Sequence, residues 1–172
     1  MSSISSNVKL ALWAALAMVM TVVPARAQSL TVSLSSSAVS FPLTKGSASN
    51  PGNSSISATT TCNGCFFQQV NVYAYFNSAA AALTNAGNNI PSSAFQMSTN
   101  GGAYQALTNT VPFGGAGAGL EFESFFVFLG GFFGGNSRTD TLTFNIDLSS
   151  GALSNLPPGT YTGTLNIRAQ AP

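Results

Sequence analysis

The chain has 172 residues, with five Lys+Arg, four Asp+Glu and no histidine. So few cations leave no basic patch to neutralise phosphates, which excludes nucleic-acid binding. The missing histidine excludes Ser-His-Asp and Cys-His nucleophiles, histidine bases and most zinc or iron sites, and no cofactor is expected.

The first element is an export signal. Lys9 supplies a positive start, Leu10 to Val23 form a 14-residue run without charge, and Pro24-Ala25-Arg26-Ala27 ends in an A-x-A pattern. These are the three parts of a cleavable secretory signal peptide, and the run is shorter than the ~20 apolar residues of a membrane span. The expected organisation is a signal peptide over residues 1–27 and one domain over residues 28–172, with no stable membrane span after cleavage. The expected location is secreted, in the periplasm or at the extracellular cell surface. The 145 residues from Gln28 onward carry seven charged side chains: Lys45, Arg138 and Arg168 against Glu121, Glu123, Asp140 and Asp147. They are enough to enclose a core of their own.

Ser, Thr, Asn and Gly make up 66 of these 145 residues, a mixture that disfavours long helices and suits strands joined by turns. Leu30, Val32 and Leu34 alternate with Thr31 and Ser33, the period of a half-buried strand. After Ser35-Ser36-Ser37 the phase flips to Val39, Phe41 and Leu43. The flip predicts an edge strand broken in two, and Pro42 is tolerable only at such an edge. A loop over residues 46–53 leads into Ile56 to Thr61.

Cys62-Asn63-Gly64-Cys65 follows. Asn-Gly is the favoured centre of a two-residue hairpin turn, so a disulfide across the turn is expected, as suits an exported chain. Redox catalysis would want a helix N-terminus or a nearby cation to lower a thiol pKa, and Phe66-Phe67-Gln68-Gln69 offers neither. A metal site lacks further Cys or His ligands.

Val70, Val72, Ala74 and Phe76 alternate again. Ser78 to Asn85 is alanine-rich and reads as one short helix stopped at Gly87, carrying the chain between sheets. Less regular segments follow around Phe95-Gln96-Met97 and from Tyr104 to Val111. Gly114 to Gly119 is a flexible loop without the context of a phosphate-binding fingerprint. Leu120 to Leu129, Thr139 to Leu148 and Thr160 to Ala169 read as the last strands. About seven to eight strands, with no alternating helices, predict an all-β fold, an antiparallel β-sandwich. An outer-membrane barrel fits less well, because most strands are shorter than the ~9–11 residues a span needs.

Leu120 to Phe133 (LEFESFFVFLGGFF) holds six of the thirteen phenylalanines. Phe125 and Phe126 point to opposite faces of a strand, and both parities stay apolar, more than a one-sided antiparallel strand needs. The excess reads either as core or as a cover for another subunit, a lipid surface or a hydrophobic ligand.

The run from Leu156 to Ile167 (LPPGTYTGTLNI) resembles the "L-P-x-G-x-Y-x-x-x-L/V-x-V" last strand of secreted Ig-like subunits, as in spore-coat-U-type and chaperone-usher pilin-like proteins. The resemblance implies an Ig-like sandwich and a subunit that assembles by strand exchange, with Leu30, Val32 and Leu34 as the donor strand. Enough strands are present for a complete sandwich as well, and both remain open at this level. The near-terminal aromatic of those families is absent, and their cysteines usually link more distant strands.

Glu121 and Glu123 are two apart and are expected on one strand face, the only carboxylate pair with a glycosidase-like placement. No other catalytic group accompanies them, and the chain is read as non-enzymatic. The leading expectation is a structural or surface subunit whose partner is itself or a related protein, through Leu30, Val32, Leu34, Phe125, Phe126 and Phe128. The alternative is an adhesin or binding module for carbohydrate, with Tyr73, Tyr75 and Tyr104 as candidate stacking platforms.

Overall fold

A computed structural model describes residues 28–128 and 136–172. The expected signal peptide and the Leu129–Phe133 part of the Phe-rich segment lie outside the described residues. The fold is predominantly β, its helical content among those residues being two 3-10 turns, Ser92–Ala94 and Gly151–Asn155. Seven strands have five residues or more: β1 (Ser29–Leu34), β3 (Ile56–Asn63), β4 (Gln68–Tyr75), β7 (Phe95–Thr99), β9 (Gly119–Val127), β10 (Asn136–Ile146) and β11 (Asn166–Gln170). Four short ones complete the set: β2 (Asn50–Pro51), β5 (Leu83–Asn85), β6 (Asn88–Ile90) and β8 (Gln105–Ala106).

All ladders are antiparallel. One sheet runs β1-β3-β10-β7-β8, with β2 also on β10; a second runs β11-β4-β9; β5 and β6 form a hairpin. The alternation read from the sequence explains why these strands share a core. Ile56 and Ala58 of β3, Met97 of β7 and Leu142, Phe144 and Ile146 of β10 meet Ala74 of β4 and Leu120 of β9 in one buried cluster. A smaller cluster, Cys62, Cys65, Val70, Val72 and Val127, fills the other end.

Between the two clusters the interior is ionic. Arg138 of β10 places Nε 3.1 Å from a Glu123 carboxylate oxygen on the facing sheet and 3.5 Å from one of Asp140. Asn100 donates to the same Asp140 oxygen at 2.8 Å. The Asp140 and Glu123 side chains are 2% and 11% exposed, whereas that of Arg138 is 47% exposed. The guanidinium therefore spans from solvent into the waist and compensates carboxylates from both sheets, without which their burial would be strongly unfavourable.

Four expectations from sequence are corrected. The Cys62–Cys65 turn is not a hairpin: β3 and β4 belong to different sheets, and only Gly64 of the central pair is left-handed (φ +72°). Ser78 to Asn85 is not a helix. Its end is β5, turning at Ala86-Gly87 with both residues left-handed (φ +47° and +83°), the geometry of a type I′ hairpin. Burial of Ala82 and Leu83 against the core overrides alanine propensity in a segment too short to nucleate a stable helix. The last strand begins at Asn166 rather than Thr160, the earlier part making only one bridge, Thr162 to Thr84. Val39, Phe41 and Leu43 form no strand of their own, yet all three pack on the core.

Candidate functional site

The corner between the two sheets organises one end of the molecule. Cys62 ends its buried run on β3, and Cys65 pairs with it, the Cα atoms 5.8 Å apart, within the range a disulfide requires. Both are buried beneath Val70 and Val127, so the bond is structural and shielded from exchange. Directly after it, Phe66 and Phe67 turn outward, 51% and 50% exposed. Phe67 holds a left-handed backbone (φ +49°), uncommon for a bulky residue, and its ring centroid lies 4.5 Å from those of both Phe66 and Phe128.

Phe126 and Phe128 reach this corner because β9 pairs with β4 in register, Gln69 opposite Phe126 and Gln68 opposite Val127. Alternation sends Phe126 and Phe128 outward, 53% and 56% exposed, while Phe125 packs inward on the disulfide cluster. Of the residues proposed for assembly, Leu30 also faces inward, onto that cluster, Val32 is half-buried and Leu34 is 41% exposed. All three lie in β1, paired within the chain to Cys62, Thr60 and Ala58 of β3.

The outer face of the β11-β4-β9 sheet is zoned. At one end the loop over residues 107–118 lies across it, and Phe113 packs edge-on to Tyr73 at 5.9 Å and tilted on Tyr75 at 5.9 Å. Arg168 of β11 stacks its guanidinium 4.4 Å from the Phe113 ring centre. A side chain at Gly114 would collide with the Tyr75 ring and the Phe76 carbonyl, so glycine there lets the loop lie flat. Tyr73 is consequently buried and Tyr75 half-buried; of the three candidate sugar platforms only Tyr104 is exposed. In the middle, Gln69 donates to Ser124 and Ser124 to Asn71 at 2.8 Å, forming a polar belt. Beyond that belt, among the described residues of this face, lie Phe126 and Phe128 with Phe66 and Phe67.

Glu121 and Glu123 do not share a face. The register shifts at Phe122, so Glu121 stands opposite Tyr73 on the outer face and Glu123 opposite Val72 on the inner one. Glu123 is engaged by Arg138, so the expected Glu121–Glu123 pair of the kind glycoside hydrolysis uses is not formed. Two shallow grooves flank the sheet. One, of about 570 Å³, is lined by Tyr73, Thr108, Asn109, Thr110 and Glu121. The other, of about 420 Å³, runs between Gln28–Leu30 of the β1 end and Arg168–Ala171 of the β11 end.

Sequence reasoning missed Phe66 and Phe67 as surface residues, Phe113 as a cover and Arg138 as an inter-sheet tie. The double aromatic straight after Cys65 carries a signal for the first; the other two depend on pairings no local pattern encodes. In comparisons with known protein families, with curated proteins and with solved structures, nothing matches this chain.

Proposed function

We propose that the chain is a non-enzymatic exported structural or surface subunit. In this reading it is an Ig-like β-sandwich, cut from its leader after Ala27, that assembles with copies or a related subunit by strand addition at β1. The observation that carries this is the edge itself. Ser35 N–H donates to Ser57 O at 2.9 Å. In an antiparallel ladder this makes Ser33 and Thr31 the other hydrogen-bonded partners of β3, and aims the N–H and C=O groups of Leu30, Val32 and Leu34 away from it. No charged residue lies between Arg26 and Lys45, and β1 itself has no proline or bulge to block a neighbouring strand. The groove between the β1 and β11 ends offers an incoming strand a seat. The buried cysteine pair fits an oxidising compartment, and the LPPGTYTGTLNI run resembles the ending of subunits of this kind.

The test is sedimentation of the chain from Gln28 to Pro172. The wild type is expected to form concentration-dependent oligomers, whereas Ser33→Lys and Val32→Pro are expected to be monomers with an unchanged circular-dichroism spectrum. Ser33→Lys, an exposed change, should alter stability by less than about 0.5 kcal/mol. A wild type that stays monomeric at high concentration with related subunits present overturns the proposal.

A second reading, a secreted module or adhesin that binds carbohydrate, is favoured by one feature. The groove beside Tyr73 presents hydroxyls of Thr108 and Thr110, the Asn109 amide and the exposed Glu121 carboxylate, a donor and acceptor set suited to sugar hydroxyls. Glycan-array binding by monomer, lost in Glu121→Gln, would support it.

A further inference from the structure

The aromatic corner and the start of the described chain lie at the same end of the molecule. Gln28 Nε2 donates to Gln68 Oε1 at 2.7 Å, and Gln68 directly follows Phe67. The uncharged run Leu10 to Val23 therefore precedes a point beside Phe66, Phe67, Phe126 and Phe128. Four residues, Pro24 to Ala27, separate the run from Gln28, a reach of at most about 14 Å.

We propose that the aromatic corner is a lipid-docking surface, inserting Phe66, Phe67, Phe126 and Phe128 into the interface of a bilayer. The zoning of the outer face fits this use. Four apolar rings form the tip, the amide and hydroxyl belt of Gln69, Asn71 and Ser124 lies behind them, and Arg168 sits beyond the belt on the stacked Phe113. Amphipathic surfaces that rest in the headgroup boundary have this order. The sequence carries no charge from Gly46 to Leu120 or from Ser124 to Ser137, so insertion requires no ionised group of those segments to be desolvated.

The area argues against a second copy as the occupant. Four half-exposed rings present on the order of 400 Å² of apolar surface, about half of the ~800 Å² that each partner contributes to a standard stable interface. The disulfide beneath the corner and the left-handed Phe67 hold the rings in place when nothing covers them, which reduces the ordering cost of docking.

Vesicle co-sedimentation of the oxidised chain from Gln28 to Pro172 tests this. The sole tryptophan, Trp13, is absent from that chain, so Phe128→Trp provides a fluorescence reporter that should shift blue on adding vesicles. Binding to phosphatidylcholine vesicles is expected, with the same extent when phosphatidylglycerol is included and at low and high salt. The double variant Phe66→Ser/Phe128→Ser should retain its fold and lose at least about tenfold in vesicle affinity. Tyr104→Ser, at an exposed aromatic just before β8, should bind as the wild type does.

No binding by the wild type overturns the proposal, as does binding only to anionic vesicles, which would assign the attraction to charge. Lipid-free dimers abolished by the double serine variant also overturn it, in favour of a second copy. The monomeric Ser33→Lys variant should still bind vesicles, which separates failure of this proposal from failure of β1-mediated assembly.

Discussion

The edge strands β1 and β9 solve the exposed-edge problem in opposite ways. β9 is guarded over its first half, from Gly119 to Glu123. Its first residue, Gly119, exchanges two backbone hydrogen bonds with Asn109 on the side away from β4, at 2.9 and 2.8 Å. A bulge at Phe122 bends it, Glu121 charges its outer face, and Glu123 ties it to the other sheet through Arg138. β1 has fewer such devices: six residues in unbroken register with β3 and no charge, its start lying against β11 and Gln28 bonded to Gln68 of the other sheet. Natural edges are usually blunted by charge, bulge or cover. An edge left flat beside a guarded one is the one to examine for strand addition, and the hydrophobic excess of β9 then needs a use other than edge pairing.

The largest effect should come from removing β1. Deleting Gln28 to Leu34 strips β3 of one of its two partners and uncovers the cluster of Cys62, Val70 and Val127 on which Leu30 packs. The expected outcome is loss of the cooperative thermal transition. A truncated chain that still melts cooperatively would make β1 an accessory and weaken its contrast with β9. Next is the Cys62–Cys65 bond, which braces the corner leading from β3 to β4 and so stands behind both edges. Closing so short a loop restricts the unfolded chain by about 2 kcal/mol, and Cys62→Ala/Cys65→Ala should lose that much in urea unfolding. Arg138→Ala then releases β9 from the opposite sheet and leaves Glu123 and Asp140 without their cation. Loss of one partner of a buried pair costs about 3–5 kcal/mol, but the half-exposed guanidinium reduces the expectation to about 1–2 kcal/mol. Amide exchange should rise in β9 more than in β1.

What was legible in the sequence follows from the range of the forces involved. The buried alternation of Val70, Val72 and Ala74 is a property of one strand, so the pattern alone identifies it and the all-β class. Which strands share a sheet is not local. Asn63-Gly64 reads as a hairpin because the turn chemistry is right, yet the chain crosses between sheets there. Glu121 and Glu123 fall on one face by counting, and a bulge set by pairing with β4 separates them. Tyr73 and Tyr75 alternate as outward residues do, but the exposure of an outward ring depends on whether a distant loop covers it, and Phe113 does.

The smallest expected effect uses pH to separate the edges from the rest of the molecule. No titratable side chain lies between Arg26 and Lys45, so acid should reach β1 only through global unfolding. Asp147, just past β10, accepts hydrogen bonds from the Ser149 hydroxyl at 2.6 Å and the Ser149 N–H at 2.9 Å. These bonds favour the ionised carboxylate and hold its pKa below the ordinary aspartate value. A folded-state pKa below the unfolded one means that the unfolded chain takes up the proton first. The stabilisation is therefore complete above the ordinary aspartate range and is lost as pH falls through the lowered folded value. Asp147→Asn should lower the melting temperature slightly at neutral pH and converge with the wild type in acid, while amide protection in β1 and β9 keeps its relative order. Convergence at neutral pH and divergence in acid would reverse the sign and show that the Ser149 hydrogen bonds do not stabilise the fold through the carboxylate.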